Sequence, residues 1–191
     1  MLSCPYIIHE RAGVNGKYRL YYNNVPHTRE YVKQLIESFW SSSSKTFTEE
    51  AKVTVASKWF IDRKNGREQG WYSYIKDRND YPVFMNKNRT NIIIFNSSEH
   101  EFQAVSGWEN PFYRSQMEGL YRLAKDLSDL DDIDIYLRVH PALSGINNSQ
   151  TKAIQRLKGR YRNFHVIDAD SSINSYLVLD EADLVITFGL L

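Results

Sequence analysis

The stretch IDIYLRVHP, residues 133–141, governs how the rest of the chain is read. Ile133, Ile135, Leu137 and Val139 are apolar or β-branched and alternate with Asp134, Tyr136, Arg138 and His140. A period of two over this length predicts one buried strand that delivers a His-Pro pair at its C-terminal end. Pro141 has no N–H to donate, so the ladder stops there. In open α/β sheets, ligands occupy the crevice beyond the carboxyl ends of the strands. Arg138 and His140 close this strand and are therefore candidates to meet an anion. The plain alternative is a strand-end Arg and His, solvated or hydrogen-bonded to a neighbouring loop.

The surrounding sequence repeats the strand motif. NIIIFNSS (91–98) is a continuous β-branched and aromatic run, as expected of a central parallel strand covered on both faces. Asn110, with Pro111 at the first helical position, predicts the start of the helix PFYRSQMEGLYRLAKDLSDL. Met117, Leu120, Tyr121, Ala124 and Leu127 would form its buried face. After residues 133–140 comes a Gly/Asn/Ser loop (144–149) and a basic helix, QTKAIQRLKGRYRN, with Ala153, Ile154 and Leu157 inward. FHVID (164–168) is a third strand. Asp170 or Ser171 is the expected cap of SINSYLVLDEA, and DLVITFG (183–189) is a fourth strand. Strands alternating with helices imply a parallel sheet with crossover helices, half of a doubly wound α/β protein. The run ending in Gly189 would feed a small-residue loop and a helix N-terminus. The sequence instead reaches Leu190 and Leu191, so the expectation is a domain incomplete at its C-terminus.

The first 89 residues read differently. Tyr6 to Ile8 and YRLYY (18–22) are short strand-like runs around a loop with Gly13, Asn15 and Gly16; Pro26 and His27 end the second. Thr28 is the expected cap of REYVKQLIESFW, with Tyr31, Leu35, Ile36 and Phe39 at helical spacing and serines 41–44 as its terminating loop. Thr48 would cap a second helix with Glu49 and Glu50 in its first turn, an Ala51/Val55/Trp59 stripe, and a Lys64-Asn65-Gly66 ending. Trp71, Tyr72, Tyr74 and Tyr81 alternate with basic residues. Such aromatics can stack on bases, but packing is the favoured reading because the net charge is only +1, from 24 basic and 23 acidic residues.

Composition narrows the classes. A chain of 191 residues with 42% hydrophobic content has enough material for a substantial core. Cys4 is the single cysteine, and none of the five histidines forms an H-x-x-x-H pair, so neither a disulfide nor a metal site is expected. No apolar run approaches the roughly 20 residues that span a bilayer, and the N-terminus lacks a signal peptide's basic region. These features suit a reduced, cytoplasmic protein without nucleic-acid partners.

HERAG, PHTREYVKQLIESFW, IIIFNSSEHEF, LRVHP and SSINSYLVLDEADLVITFG occur in this order. Together they resemble the bacterial capsule polysaccharide biosynthesis family of GT-B-type glycosyltransferases. The resemblance implies the end of an N-terminal domain and helical linker over 1–89. Over 90–191 it implies a Rossmann-like, nucleotide-sugar-binding domain with helices on both faces, lacking its C-terminal part. His140 and Pro141 are similar to the His-Pro pair of sialyl- and Kdo-type transferases, whose histidine contacts the donor phosphate; Arg138 would add a bidentate contact. Ser171, Ser172 and Tyr176 match the segment that closes over the nucleotide. Ser97, Ser98, Glu99 and Glu101 would line the cleft, with His9, Glu10 and Arg11 as the polar cluster of the first part. Turn and helix capping is the competing role for the serines and Glu99. The family is similar to enzymes that transfer sugar from CMP- or UDP-linked donors to a saccharide acceptor. No bound cofactor is implied, and the location would be cytoplasmic, peripheral to the inner membrane and its capsule assembly machinery. The truncated form would have impaired activity. The rivals are a non-catalytic nucleotide-binding or interaction module and a sugar-nucleotide epimerase-like enzyme using Glu99, Glu101 and Asp168.

Overall fold

The computed structural model describes residues 4–11, 16–26, 28–67, 78–99 and 112–188. Gly13, Asn15, His27, Trp71, Tyr72, Tyr74, Glu101, Asn110, Pro111 and residues 189–191, all named above, lie outside the described residues. The chain divides into two compact units, Met1–Lys76 and Asp77–Leu191. The division falls earlier than position 89. Residues 78–89 belong with the second unit: Asp80 bridges Ile173, and Met85 is buried against Ile93 and Tyr136.

In the first unit β1 (Ile7–Arg11) and β2 (Tyr18–Tyr22) form an antiparallel hairpin with His9 opposite Leu20. Tyr21 is the one buried residue among those described here. Its hydroxyl donates to Glu10 Oε2 at 2.7 Å, and its ring lies 5.5 Å from that of Tyr31. Burial, reinforced by Glu10, raises its pKa above the usual phenol value. Helix α1 (Arg29–Ser43) runs through the serines expected to end it. Ser42 and Ser43 donate their hydroxyls back to the Phe39 and Trp40 carbonyls, which keeps these residues compatible with the helix. Helix α2 (Glu49–Lys64) is capped as expected, with Thr48 Oγ1 accepting from Ala51 N–H. The Ala51/Val55/Trp59 stripe lines an open groove of about 460 Å³ rather than a core. Periodicity places side chains on one face but does not say what covers it.

The end of α2 is a Schellman motif. Gly66, at φ 70°, donates to the Arg63 carbonyl and Arg67 donates to that of Asp62. Gly66→Ala puts a Cβ in the left-handed region, and the expected cost is about 1 kcal/mol, read as earlier loss of α2 helicity on heating. An unchanged helix signal would contradict it.

The second unit is α/β. Strands β3 (Thr90–Phe95), β4 (Ile133–Arg138), β5 (Phe164–Ile167) and β6 (Leu184–Thr187) form one all-parallel sheet in the order β5-β4-β3-β6. The register pairs Ile93 with Tyr136, Phe95 with Thr187 and Arg138 with Ile167. Helices α3 (Gln116–Asp126) and α4 (Ser149–Leu157) cover one face, where Leu120, Ala124, Ile154 and Leu157 meet Ile92, Ile94, Ile135 and Leu137. Short helix α5 (Ser175–Asp180) and the segment around Met85 cover the other, where Val178 meets Ile93, Tyr136 and Ile167. A Rossmann-like sheet with helices on both faces is therefore present. Its order reverses between β3 and β6, the switch point of such sheets.

Two expectations shift. Helix α3 starts at Gln116, capped by Ser115 Oγ on Glu118 N–H, five residues after Pro111. Helix α5 is capped by Asn174 and not by Asp170 or Ser171. Strand β4 is buried, as its sequence predicts, and on both faces: Asp134, Tyr136 and Arg138 are 6%, 1% and 1% accessible. Asp134 is tolerated there because Arg89 Nε lies at 3.0 Å and His165 Nε2 at 3.4 Å.

Candidate functional site

The loop after β3 is held from below by amides that the fold buries. Ser97 N–H donates to Gln116 Oε1 at 2.9 Å, and Gln150 Nε2 donates to the Ser97 carbonyl at 2.7 Å. Glu99 N–H donates to Gln150 Oε1 at 3.2 Å. Gln116 and Gln150 open α3 and α4, so both helices are tied to one loop. The Glu99 carboxylate accepts from Met117 N–H at 3.4 Å. It thus stands at the α3 N-terminus, where partial positive charge favours an anion.

At the end of β4, His140 N–H donates to Asn96 Oδ1 at 3.1 Å, which links β4 to the β3 loop. His140 Nδ1 accepts from Ala142 N–H at 3.2 Å and so caps the 3₁₀ turn Pro141–Leu143, whose first residue is Pro141. An accepting Nδ1 places the proton of the neutral ring on Nε2. Arg138 has a different task. Its Nε donates to Ser175 Oγ at 3.1 Å, and its Nη1 and Nη2 donate to the Asp168 and Ile173 carbonyls at 2.5 and 3.5 Å. Burial first, and Arg78 second, lower its pKa to about 10, so it stays charged at neutral pH. The guanidinium is a strut beneath the turn after β5 and does not present its fork at the sheet edge.

That turn carries the remaining polar groups. Arg78 Nη1 donates to the Ser171 carbonyl at 3.0 Å, Ser172 Oγ donates to Asp80, and Ser171 Oγ accepts from Ile173 N–H at 3.3 Å. Tyr176 lies in the first turn of α5, half-buried, its N–H given to Asn174. Asp168 and Asp170 border two cavities. The larger, about 660 Å³, is formed with the β4–α4 loop and with Lys152 and Arg156 of α4. The smaller, about 290 Å³, is formed with Phe84 and His165 on the opposite sheet face.

Of the residues expected from sequence, Ser97, Glu99, His140, Pro141, Ser171, Ser172 and Tyr176 lie at the carboxyl end of the sheet or in the segment after β5; Ser98 follows Ser97 and is half-buried. Arg138 lies beneath them, and Glu101 is outside the described residues. His9, Glu10 and Arg11 sit on β1 of the first unit, where His9 packs on Tyr18 and Glu10 on Tyr21. Sequence reasoning missed Asn96, Gln116, Gln150 and Arg78. It also missed Lys152 and Arg156, whose spacing of four on a helix was the available signal. Among the described residues no group of His, Cys, Asp or Glu is arranged to hold a metal ion. No protein-family model, curated protein or solved structure matches the chain.

Proposed function

We propose that the second unit binds a nucleotide-sugar donor at the carboxyl edge of its sheet, and that the protein serves glycosyl transfer in capsule or surface polysaccharide assembly. The observation that carries the reading is the cavity of about 660 Å³ at the ends of β4 and β5, bordered by Lys152, Arg156 and Asp170. That volume is in the usual range for small-molecule sites, and strand ends of a parallel sheet are their usual position. The polysaccharide part of the reading rests on the resemblance of the LRVHP and SSINSYLVLDEADLVITFG segments. No described helix is long and apolar enough to cross a membrane. A cytoplasmic enzyme peripheral to the inner membrane is part of the same proposal.

One observation favours a second reading, a nucleotide-binding module without chemistry of its own. Glu99 and His140 Nδ1 are both engaged as caps.

Titration calorimetry of the full chain with CMP and UDP tests binding. The expected result is micromolar affinity for one of them, reduced about tenfold in Arg156→Gln, which removes a cation from the cavity wall. Absence of heat with either nucleotide, in a chain folded by circular dichroism, overturns the reading. Sugar release from the matching donor, with an acceptor present, separates the enzyme from the module.

A further inference from the structure

We infer that the larger cavity orients its ligand, with a diphosphate on Lys152 and Arg156 and ribose hydroxyls on Asp170, and so selects ribonucleoside diphosphates. This rests on the reading of the cavity as a nucleotide site. Lys152 and Arg156 are one helical turn apart on α4, and both line the cavity. Neither makes an ion pair among the described residues, whereas Asp168 on the same cavity is already paired with Lys158. Asp170 has no ion pair among the described residues either. The lining therefore offers two cations on α4 without an ion pair and one carboxylate on the β5 turn, whose charge also acts on the buried Arg138.

The two kinds of group sort the parts of a ligand. Cations on adjacent turns match the charge of two phosphoryl groups, with the arginine fork able to take two oxygens of one. A carboxylate repels phosphate and accepts hydroxyl protons, and its two oxygens match a vicinal diol. Asp170 is well placed to discriminate because its turn is pinned. Arg138 holds the Asp168 and Ile173 carbonyls and Arg78 holds that of Ser171. A pinned acceptor loses little entropy on binding, so a missing hydroxyl is felt in full.

The test measures dissociation constants of UDP, UMP and 2′-deoxy-UDP, and of the cytidine series, with the full chain. The diphosphate is expected to bind at least about tenfold tighter than the monophosphate and than its deoxy analogue. In Asp170→Asn the ribose preference should shrink to about twofold while the diphosphate preference persists. In the Lys152→Gln/Arg156→Gln variant the diphosphate preference should vanish while the ribose preference persists. Nucleotide binding with equal affinity for ribose and deoxyribose, or preferences untouched by these substitutions, overturns the orientation and leaves the nucleotide site standing. No binding of any nucleotide overturns both.

Discussion

Arg138→Met is expected to destabilise the second unit by about 3 kcal/mol, seen as a fall in the midpoint of its urea transition. Methionine fills similar volume but donates nothing. The Asp168 and Ile173 carbonyls and the Ser175 hydroxyl lose their partner beneath a covered turn. A buried ion replaced by an apolar group is often tolerated when both partners go, but here only one side is removed. Arg138→Lys should recover part of the loss, because one ammonium keeps the charge and cannot span carbonyls five residues apart as a fork does. Unchanged stability with lost nucleotide affinity would make Arg138 a ligand-binding residue and end its role as a strut.

Gly119→Ala should also destabilise, against helix propensity. Alanine in a helix interior gains about 1 kcal/mol over glycine. At this site the added Cβ would overlap Phe188 Cε1 and lie 2.9 Å from Tyr113 Cδ2. Phe188 follows β6 directly and its ring meets that of Tyr113 edge-on at 6.1 Å, so both rings have to shift. The net expected loss is about 1–3 kcal/mol. The double variant separates clash from propensity. In a Phe188→Ala background the same Gly119→Ala change should become neutral or slightly stabilising, a coupling of more than about 1 kcal/mol. Additive effects would show that Phe188 does not press on α3 as drawn.

These two residues show where sequence reading succeeds and stops. Gly119 stands in a helix whose apolar spacing is plain, with Met117, Leu120 and Ala124 buried as expected. That this glycine admits the ring of Phe188, 69 positions away, depends on β6 lying beside β3. Nothing local to either residue encodes that neighbour. Arg138 is similar. Alternation along β4 marked it as facing opposite to Leu137 and Val139 on a strand read as buried, with a solvated or loop-bonded end as the alternative. The second face is instead covered by the chain returning from β5 to β6, and the arginine was buried with its carbonyl partners supplied.

The candidate site divides the same way. LRVHP was legible as a strand end because a two-residue period and a proline are local signals. The carboxyl-edge position of His140, Ser97 and Glu99 follows from strand direction alone. Gln116 and Gln150, which fasten the Ser97 loop, lie 19 and 53 residues from Ser97, so their convergence is a product of parallel crossovers. Lys152 and Arg156 read in sequence as the polar side of a basic helix, and only the fold brings the Asp168–Asp170 turn to the same cavity.

By itself the sequence determined the kinds of element and their direction: β-branched runs separated by amphipathic helices admit little except a parallel, helix-covered sheet. It determined the Thr48 cap and the Gly66 stop, because those depend on residues within one turn. Only the tertiary structure decided the β5-β4-β3-β6 order, which segments cover Asp134, Tyr136 and Arg138, and which charges share a cavity. Local preference acts over a few bonds, whereas burial and pairing are set by segments that meet after long loops close.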